Sequence, residues 1–186
     1  MNEIRFHGMG GQGSVWGAAT LAESAFSEGK YAQKIPVYTG AQRGGDVVVF
    51  LRLDDKPIRR NCGIYEPDGI VVLDSVLARS PKVWSGLKEG GVAVLNDKRS
   101  PDEVNLDVKL SKLATVNATD IFFEFFGQRA LPITNMTMLG AVCKATGWVK
   151  LESLFDHIMK LIPGRIGELN VEACKRGYET AKVMEG

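Results

Sequence analysis

Cysteine and histidine are scarce in this chain of 186 residues, which contains three cysteines and two histidines. The cysteines (Cys62, Cys143 and Cys174) stand far apart, and no two of them form a C-x-x-C pair. Because iron–sulfur clusters and structural zinc sites need several thiolates at close spacing, this chain alone can build neither. We expect reduced, mostly packed thiols. The histidines, His7 and His157, stand in no motif, so a structural role is expected for both, although His7 lies beside the glycine loop described below.

An excess of one charge and a long apolar run are also absent. The 23 basic residues balance 22 acidic ones, for a formal net charge of +1. This balance favours neither nucleic acid nor an anionic membrane as a partner. The apolar run Val47–Leu51 is far shorter than the roughly 20 residues that a bilayer span needs. Glu3 and Arg5 interrupt any signal-peptide core. We therefore expect a cytoplasmic protein with no nucleic-acid partner and no membrane partner.

Motifs for catalysis are missing as well. The chain has no nucleophile elbow, no motif that pairs cysteine with histidine, and no clustered carboxylates. It also lacks the Gly-Asp-Gly signature with downstream asparagines that is typical of thiamine diphosphate sites. The sequence therefore predicts no catalytic residue and no metal site in this chain.

Glycine, in contrast, is abundant, and four glycines fall within the six residues of the glycine loop, Gly8–Gly13. The loop follows a short apolar stretch, Ile4–His7, and precedes a helical pattern. Glycine permits positive φ and close approach of another molecule. A glycine loop that opens a helix also favours anions, because free N–H groups and the helix dipole point the same way. The candidate cofactor-binding residues here are Gly8, Gly10, Gly11, Gln12 and Gly13.

The glycine loop satisfies the dinucleotide fingerprint G-x-G-x-x-G, but this fingerprint alone is weak. NAD binding also needs an acidic residue at the end of the second strand to hold the ribose. The second predicted strand ends Ile35–Tyr38, with no acidic residue there, and Lys34 is a poor substitute for the arginine that NADP needs. NAD(P) binding is therefore disfavoured, and three further interpretations stay open: a tight turn and close packing only, a phosphate-bearing ligand, or a partner chain that meets the loop.

A second polar loop, Thr39–Gly45, adds Arg43, Gly44 and Gly45 to the candidate binding residues. Arginine binds phosphate or carboxylate through two parallel hydrogen bonds, and the flanking glycines let the backbone approach closely. Loops at the carboxyl ends of parallel strands are where α/β sheets bind ligands, and both loops are expected there. The alternative is that Arg43 pairs with a surface acid or anchors its own loop.

The order of elements predicts an α/β fold in a single domain over residues 1–186. A strand over 3–7, a helix over 14–29 with Ser14 as a cap and Gly29 as a stop, and a strand over 30–37 imply a parallel sheet with a right-handed crossover. The expected architecture is a three-layer Rossmann-like domain with a mainly parallel sheet and a helical C-terminal part. Further strands are predicted over 46–53, 70–74, 92–96 and 113–116, with Ile58–Arg60 as a paired edge. Further helices are predicted over 117–127 (with Phe122–Phe126 in the core), 136–146, 151–161 and 168–184.

Nine short segments, spread in order over nearly the whole chain, share one pattern. They are Ile4–Gly13, Glu28–Gln33, Arg43–Gly45, Asp55–Arg59, Tyr65–Asp68, Leu87–Gly91, Pro132–Met136, Leu139–Ala141 and Asn170–Ala173. The pattern resembles the gamma subunit of 2-oxoacid:ferredoxin oxidoreductases.

This resemblance implies a multi-subunit oxidoreductase that converts a 2-oxoacid and coenzyme A into acyl-CoA, carbon dioxide and reduced ferredoxin. In such enzymes thiamine diphosphate lies between the alpha and beta subunits, and iron–sulfur clusters lie in the beta and delta subunits. The implied partners are the alpha, beta and delta subunits and, through the complex, ferredoxin. The isolated chain could form a homodimer. A gamma chain packs on the alpha subunit near the coenzyme A region, so the glycine loop and Arg43 would face coenzyme A phosphates or an alpha-subunit carboxylate.

The same resemblance bears on the substrate. The segments Ile4–Gly13, Gly29–Gln33 and Tyr65–Asp68 are most similar to the pyruvate and branched-chain oxoacid enzymes. Gln42–Asp46 is closer to the 2-oxoglutarate and indolepyruvate enzymes, and Asn135–Gly140 is closer to the 2-oxoglutarate type. Pyruvate is slightly favoured, with 2-oxoglutarate or a branched-chain oxoacid as alternatives. A different class of function, a free-standing Rossmann-like domain that binds NAD(P) or regulates, also stays open.

Overall fold

The computed structural model describes residues 1–38 and 45–186. The described strands are β1 (Asn2–Met9), β2 (Tyr31–Tyr38), β3 (Asp46–Asp54), β4 (Gly69–Val72), β5 (Gly91–Asn96), β6 (Leu110–Val116) and β7 (Lys182–Glu185). The described α-helices are α1 (Ser14–Ser27), α2 (Pro81–Trp84), α3 (Ala118–Phe126), α4 (Asn135–Thr146), α5 (Leu151–Leu161) and α6 (Arg165–Thr180), and short 3₁₀ turns span Leu77–Arg79 and Pro101–Glu103. The α/β class and the helical C-terminal part are confirmed.

The seven described strands form one sheet in the order β2-β3-β1-β4-β5-β6-β7. The strands β1, β4, β5 and β6 are parallel neighbours, whereas β3 is antiparallel to both β1 and β2, and β7 is antiparallel to β6. Five strands therefore run in one direction, and the prediction of a mainly parallel sheet is confirmed. β1 and β2 run parallel in this sheet, as predicted, but they are not neighbours, because β3 lies between them and pairs with both.

One face of the sheet, the helix face, is covered by α1 and by α3 to α6. Ile4 and Phe6 of β1 pack there with Leu51 of β3 and with the buried residues of α4. α4 and α6 approach closely through glycines, since a side chain at Gly140 or Gly177 would collide with the backbone of the facing helix. This face holds the larger part of the apolar core.

The opposite face, the thin face, is covered by α2, the turn Leu77–Arg79 and connecting loops. A small apolar cluster there includes Ile70, Val72 and Leu95 from the sheet and Val83 from α2. The three-layer prediction therefore holds with an unequal third layer, because only short helical segments cover this side.

Two local predictions are wrong and have clear causes. Ile58–Arg60 forms no strand, because the edge of the sheet beyond β3 is already taken by β2. The last predicted helix, over 168–184, begins earlier at Arg165 and ends at Thr180, after which β7 pairs with β6. β7 thus covers the edge of β6 and itself forms this end of the sheet. Helix α5 spans Leu151–Leu161 as predicted.

Candidate ligand-binding site at the glycine loop

The glycine loop connects the carboxyl end of β1 to the start of α1, as predicted. Gly11 and Gly13 adopt φ values of 100° and 83°, in the left-handed region that side chains rarely enter. A side chain at Gly13 would also collide with the side-chain amide of Asn135. Glycine is therefore required at Gly13 by both backbone conformation and space, which favours a built loop over a chance turn.

Two amide side chains hold the loop in place. Gln12 accepts a hydrogen bond from the Met9 N–H at 2.8 Å through Oε1, and its Nε2 donates to Asp74 Oδ2 at 2.7 Å. From the other side, Asn135 Nδ2 donates to the Gly13 carbonyl at 3.1 Å. The loop is thus tied to the end of β4 and to the start of α4.

The amino end of α1 opens on this loop. Gly13 occupies the N-cap position, and none of the described side chains caps the helix. The prediction that Ser14 caps α1 is wrong, because Ser14 is already the first helical residue and its buried Oγ has no hydrogen-bond partner among the described residues. An uncapped helix start keeps its N–H groups and its positive dipole end available to an anion.

A cavity of about 950 Å³ adjoins the loop and the start of α1. Its walls are mostly apolar, and its charged lining residue among those described is Arg129, which follows α3. The lining residues are Met9, Gly10, Gly11, Gly13, Ser14, Val15, Trp16, Gly45, Val47, Phe122, Phe126, Arg129, Ile133, Asn135, Met136, Leu161, Ile162, Ile166 and Asn170. A volume of this size suits a cofactor-sized ligand.

The cavity also revises the role of the aromatic cluster on α3. Phe122 is buried, as predicted for a core residue, and its ring stacks on Phe126 with centroids 5.0 Å apart. Both rings line the cavity as well. The cluster is therefore a wall shared by the core and the candidate site.

The predicted site residues divide into three groups. Gly10, Gly11, Gly13 and Gly45 line the cavity, and the Gly10 N–H donates to the Gly45 carbonyl at 2.9 Å, so the two predicted loops do meet. Gly8 and Gln12 belong to the same loop but do not line the cavity. A side chain on Gly8 would collide with Ser14 Oγ. Arg43 and Gly44 lie outside the described residues.

Three residues near the loop have no role in the sequence-based site: Asp74, Arg129 and Asn135. Asp74 ends a predicted strand, and Asn135 belongs to one of the segments that carry the resemblance, but neither spacing nor composition links them to a loop more than sixty residues away in the chain. No motif in the sequence around Arg129 indicates a binding role. Only long-range packing brings these side chains to the loop.

His7 lies on the thin face of β1, directly before the loop. Burial, and then the nearby positive charge of Arg5, lower its pKa to about 4. Its Nε2 is buried with no hydrogen-bond partner among the described residues. A neutral, enclosed imidazole agrees with the structural role expected for His7.

The cysteines are dispersed as the sequence suggests. Cys62 is exposed, while Cys143 and Cys174 are buried. Burial raises the pKa of Cys143 to about 12, and burial likewise raises the pKa of Cys174. Both buried thiols therefore stay protonated and packed. Within residues 1–38 and 45–186, no three His, Cys, Asp or Glu side chains cluster in a way that could hold a metal ion.

Comparison with known proteins identifies the family. Residues 3–180 match the family described as pyruvate ferredoxin/flavodoxin oxidoreductase. The chain belongs to this family.

Relatives within the family match the full length of the chain. The chain is 49% identical to the pyruvate/ketoisovalerate oxidoreductases common subunit gamma of Thermococcus litoralis, over 100% of both chains. It is 47% identical to the pyruvate synthase subunit PorC of Methanothermobacter thermautotrophicus, over 96% of this chain and 95% of that one. These matches agree with the predicted identification of the chain as a gamma subunit of an oxoacid:ferredoxin oxidoreductase.

A solved structure of a relative has the same fold over nearly the whole chain. The crystal structure of the pyruvate oxidoreductase subunit PORC of Thermotoga maritima is 35% identical and superposes with a TM-score of 0.86, covering 99% of this chain and 98% of that one. The family assignment therefore rests on sequence and on structure. Among the described residues, no helix is both long and apolar enough to cross a membrane.

Proposed function

We propose that this chain works in a complex with alpha, beta and delta subunits that oxidises a 2-oxoacid with coenzyme A to acyl-CoA, carbon dioxide and reduced ferredoxin. Its own part is to pack on the alpha subunit and to help form the coenzyme A region. Thiamine diphosphate and the iron–sulfur clusters would reside in the partner chains, as the resemblance implies.

The observation that carries the coenzyme A role is the glycine loop on the wall of the cavity. The uncapped start of α1 and Arg129 supply positive charge, and the cavity walls supply apolar surface. Coenzyme A combines phosphates with a long neutral arm, so one site that pairs an anion-binding helix end with an apolar cavity suits both parts. Gly10, Gly11, Gly13 and Arg129 are the described residues that would contact it, and Arg43 and Gly44 would join from the neighbouring loop.

The observed strand order argues against the alternative NAD(P) function. A dinucleotide-binding domain places the acidic residue for the ribose on the strand next to β1. Here β3 occupies that place, so β2 ends two strand spacings, about 10 Å, away from the glycine loop. β2 therefore supplies no acidic residue for the ribose, in position or in residue type.

For the substrate we propose pyruvate, with branched-chain oxoacids and 2-oxoglutarate as alternatives. The support is that the similar chains from Thermococcus litoralis and Methanothermobacter thermautotrophicus are named for pyruvate, the first also for ketoisovalerate. A shared gamma chain suits two substrates only if selection lies mainly in the other chains. Swapping the alpha and beta chains while keeping this one should then change the substrate.

The test of the coenzyme A role is Arg129→Ala in the assembled enzyme. Losing a charge-assisted hydrogen bond to a phosphate should raise the KM for coenzyme A about tenfold and leave the KM for the oxoacid unchanged. The matched control is Arg165→Ala, an exposed arginine that pairs with Glu168 at 3.0 Å outside the cavity lining. If Arg129→Ala and Arg165→Ala behave alike, the cavity does not bind coenzyme A through Arg129. If the chain instead elutes alone from its native host and binds NADH tightly, the multi-subunit assignment fails.

A further inference from the structure

Gln12 is buried although it lies in the middle of a loop that faces a cavity. It is 3% exposed, and both ends of its amide are used. The Met9 N–H can only donate, so it must meet the amide oxygen at 2.8 Å. This leaves the amide nitrogen to donate to Asp74 Oδ2 at 2.7 Å. The orientation of the Gln12 amide is thus determined by its partners.

Asp74 continues the same network. Its second oxygen, Oδ1, accepts the N–H of Val76 at 2.9 Å. One carboxylate therefore holds the turn after β4 and, through Gln12, the backbone of the glycine loop. Each of the four atoms in this Gln12–Asp74 pair has one assigned partner, and changing one residue type leaves at least one of those partners without its match.

We propose that Gln12 and Asp74 are positioning residues that hold the glycine loop open toward the cavity. They act through the loop backbone and touch no ligand, since neither lines the cavity. The ligand in this inference, coenzyme A, rests on the proposed function. An anion site made of backbone groups gains affinity when its geometry is formed before binding, because binding then orders little of the chain. The hydrogen bonds of Gln12 and Asp74 would hold the loop in that geometry before the ligand binds.

The pair offers an unusual test because its polarity can be reversed. In Gln12→Glu, the Met9 N–H keeps an acceptor, but the other carboxylate oxygen faces Asp74, and two acceptors meet without a proton. In Asp74→Asn, only one of the two former acceptor oxygens remains. When both substitutions are combined, the new asparagine amide donates to the new glutamate carboxylate and keeps an oxygen for the Val76 N–H. All three hydrogen bonds of the pair are then restored, and only the direction of the one between residues 12 and 74 is reversed.

The assembled enzyme carrying each single variant and the double variant should be measured for kcat, for the KM of coenzyme A and for amide hydrogen exchange over residues 9–14. We expect Gln12→Glu to raise the KM about tenfold and Asp74→Asn about threefold, with kcat unchanged. Exchange should rise in both single variants. The double variant should return KM and exchange to within about twofold of the parent.

The alternative, that the carboxylate charge acts only by repelling the anion, predicts a different result. If the carboxylates acted only by repelling the anion, Asp74→Asn would lower the KM, and the positioning role would be overturned. Unchanged exchange in both single variants, or a double variant no better than Gln12→Glu, would overturn it as well. If exchange rises and recovers as expected while the KM for coenzyme A never moves, the positioning role stands and the proposed ligand is wrong.

Discussion

The two faces of the sheet are built from the same strands but are stabilised in different ways. On β1, Ile4 and Phe6 point to the helix face, while Arg5 and His7 point to the thin face. On β3, Leu51 and Arg52 divide in the same manner. The helix face is sealed mainly by apolar contact. The thin face has too little cover for that, so buried polar groups tie the connecting loops to the sheet.

Arg52 shows how the thin face works. It is 1% exposed, and its guanidinium donates to Glu3 at 2.8 Å, to Gln33 at 2.8 Å and to the Gly63 carbonyl at 3.1 Å. Arg5 likewise donates to the carbonyls of Val83 and Ser85. These arginines fix irregular segments that have no ladder of their own. The face that has less apolar cover therefore depends on directional contacts.

The largest effect is expected on the thin face, from Arg52→Ala. Removing the guanidinium leaves Glu3, the Gln33 oxygen and the Gly63 carbonyl without their partner, and breaking a mostly buried ion pair typically costs about 3–5 kcal/mol. We expect the free energy of unfolding to fall by about 4 kcal/mol in denaturant titration. Arg60→Ala is the control, because Arg60 is 4.0 Å from the same Glu3 carboxylate but has a side chain 64% exposed. Equal losses would show that burial on this face is not what matters.

A second effect on the thin face should depend on pH. The folded-state pKa of His7 is lowered to about 4, against about 6.5 in the unfolded chain. Above pH 6.5 the His7 imidazole is neutral in both the folded and the unfolded chain. Between pH 6.5 and 4 only the unfolded chain binds a proton at His7, so the free energy of unfolding should decrease as the pH is lowered, by up to about 3 kcal/mol.

The check is the same pH series on His7→Gln, which cannot take up that proton. The difference in unfolding free energy between parent and variant removes the contribution of carboxylates common to both. That difference should change between pH 6.5 and 4 and stay constant above pH 7. A constant difference over the whole range would mean that His7 is not held neutral.

A smaller effect is expected on the helix face, from Gly177→Ala. The new methyl group would meet the backbone carbonyl of Thr137, which cannot move without shifting α4. Overpacking of this kind costs about 2 kcal/mol. Gly17→Ala in α1 is the control, since its added methyl would lie 3.3 Å from a single side-chain atom, Asn135 Cβ, and alanine favours the helix. A lower melting temperature for Gly17→Ala than for Gly177→Ala would refute the close packing of α4 on α6 as the cause.

Much of the local structure followed from the sequence. Periodicity placed α5 at its observed bounds. Asn117, the first residue of the helix predicted over 117–127, caps α3 by accepting a hydrogen bond from the Asp120 N–H. The glycine loop was recognisable because positive φ and close approach both require glycine. Such features depend on neighbours in the chain, and neighbours are visible in a sequence.

The arrangement in space was harder to predict. Nothing near β3 says that it inserts between β1 and β2, because strand pairing is decided by contacts between segments distant in the chain. For the same reason, Ile58–Arg60 was wrongly predicted as a strand and β7 was missed. Alternation marks a strand but does not name its partner.

The glycine loop illustrates both sides. Its glycines, its place before a helix and its suitability for an anion all follow from local backbone chemistry in residues 8–13. Tertiary structure alone brought Asp74, Arg129 and Asn135 to it, placed a cavity of about 950 Å³ beside it, and moved β2 away from it. A loop's conformational range belongs to its own residues. What the loop can bind depends on the side chains that packing brings from elsewhere in the chain.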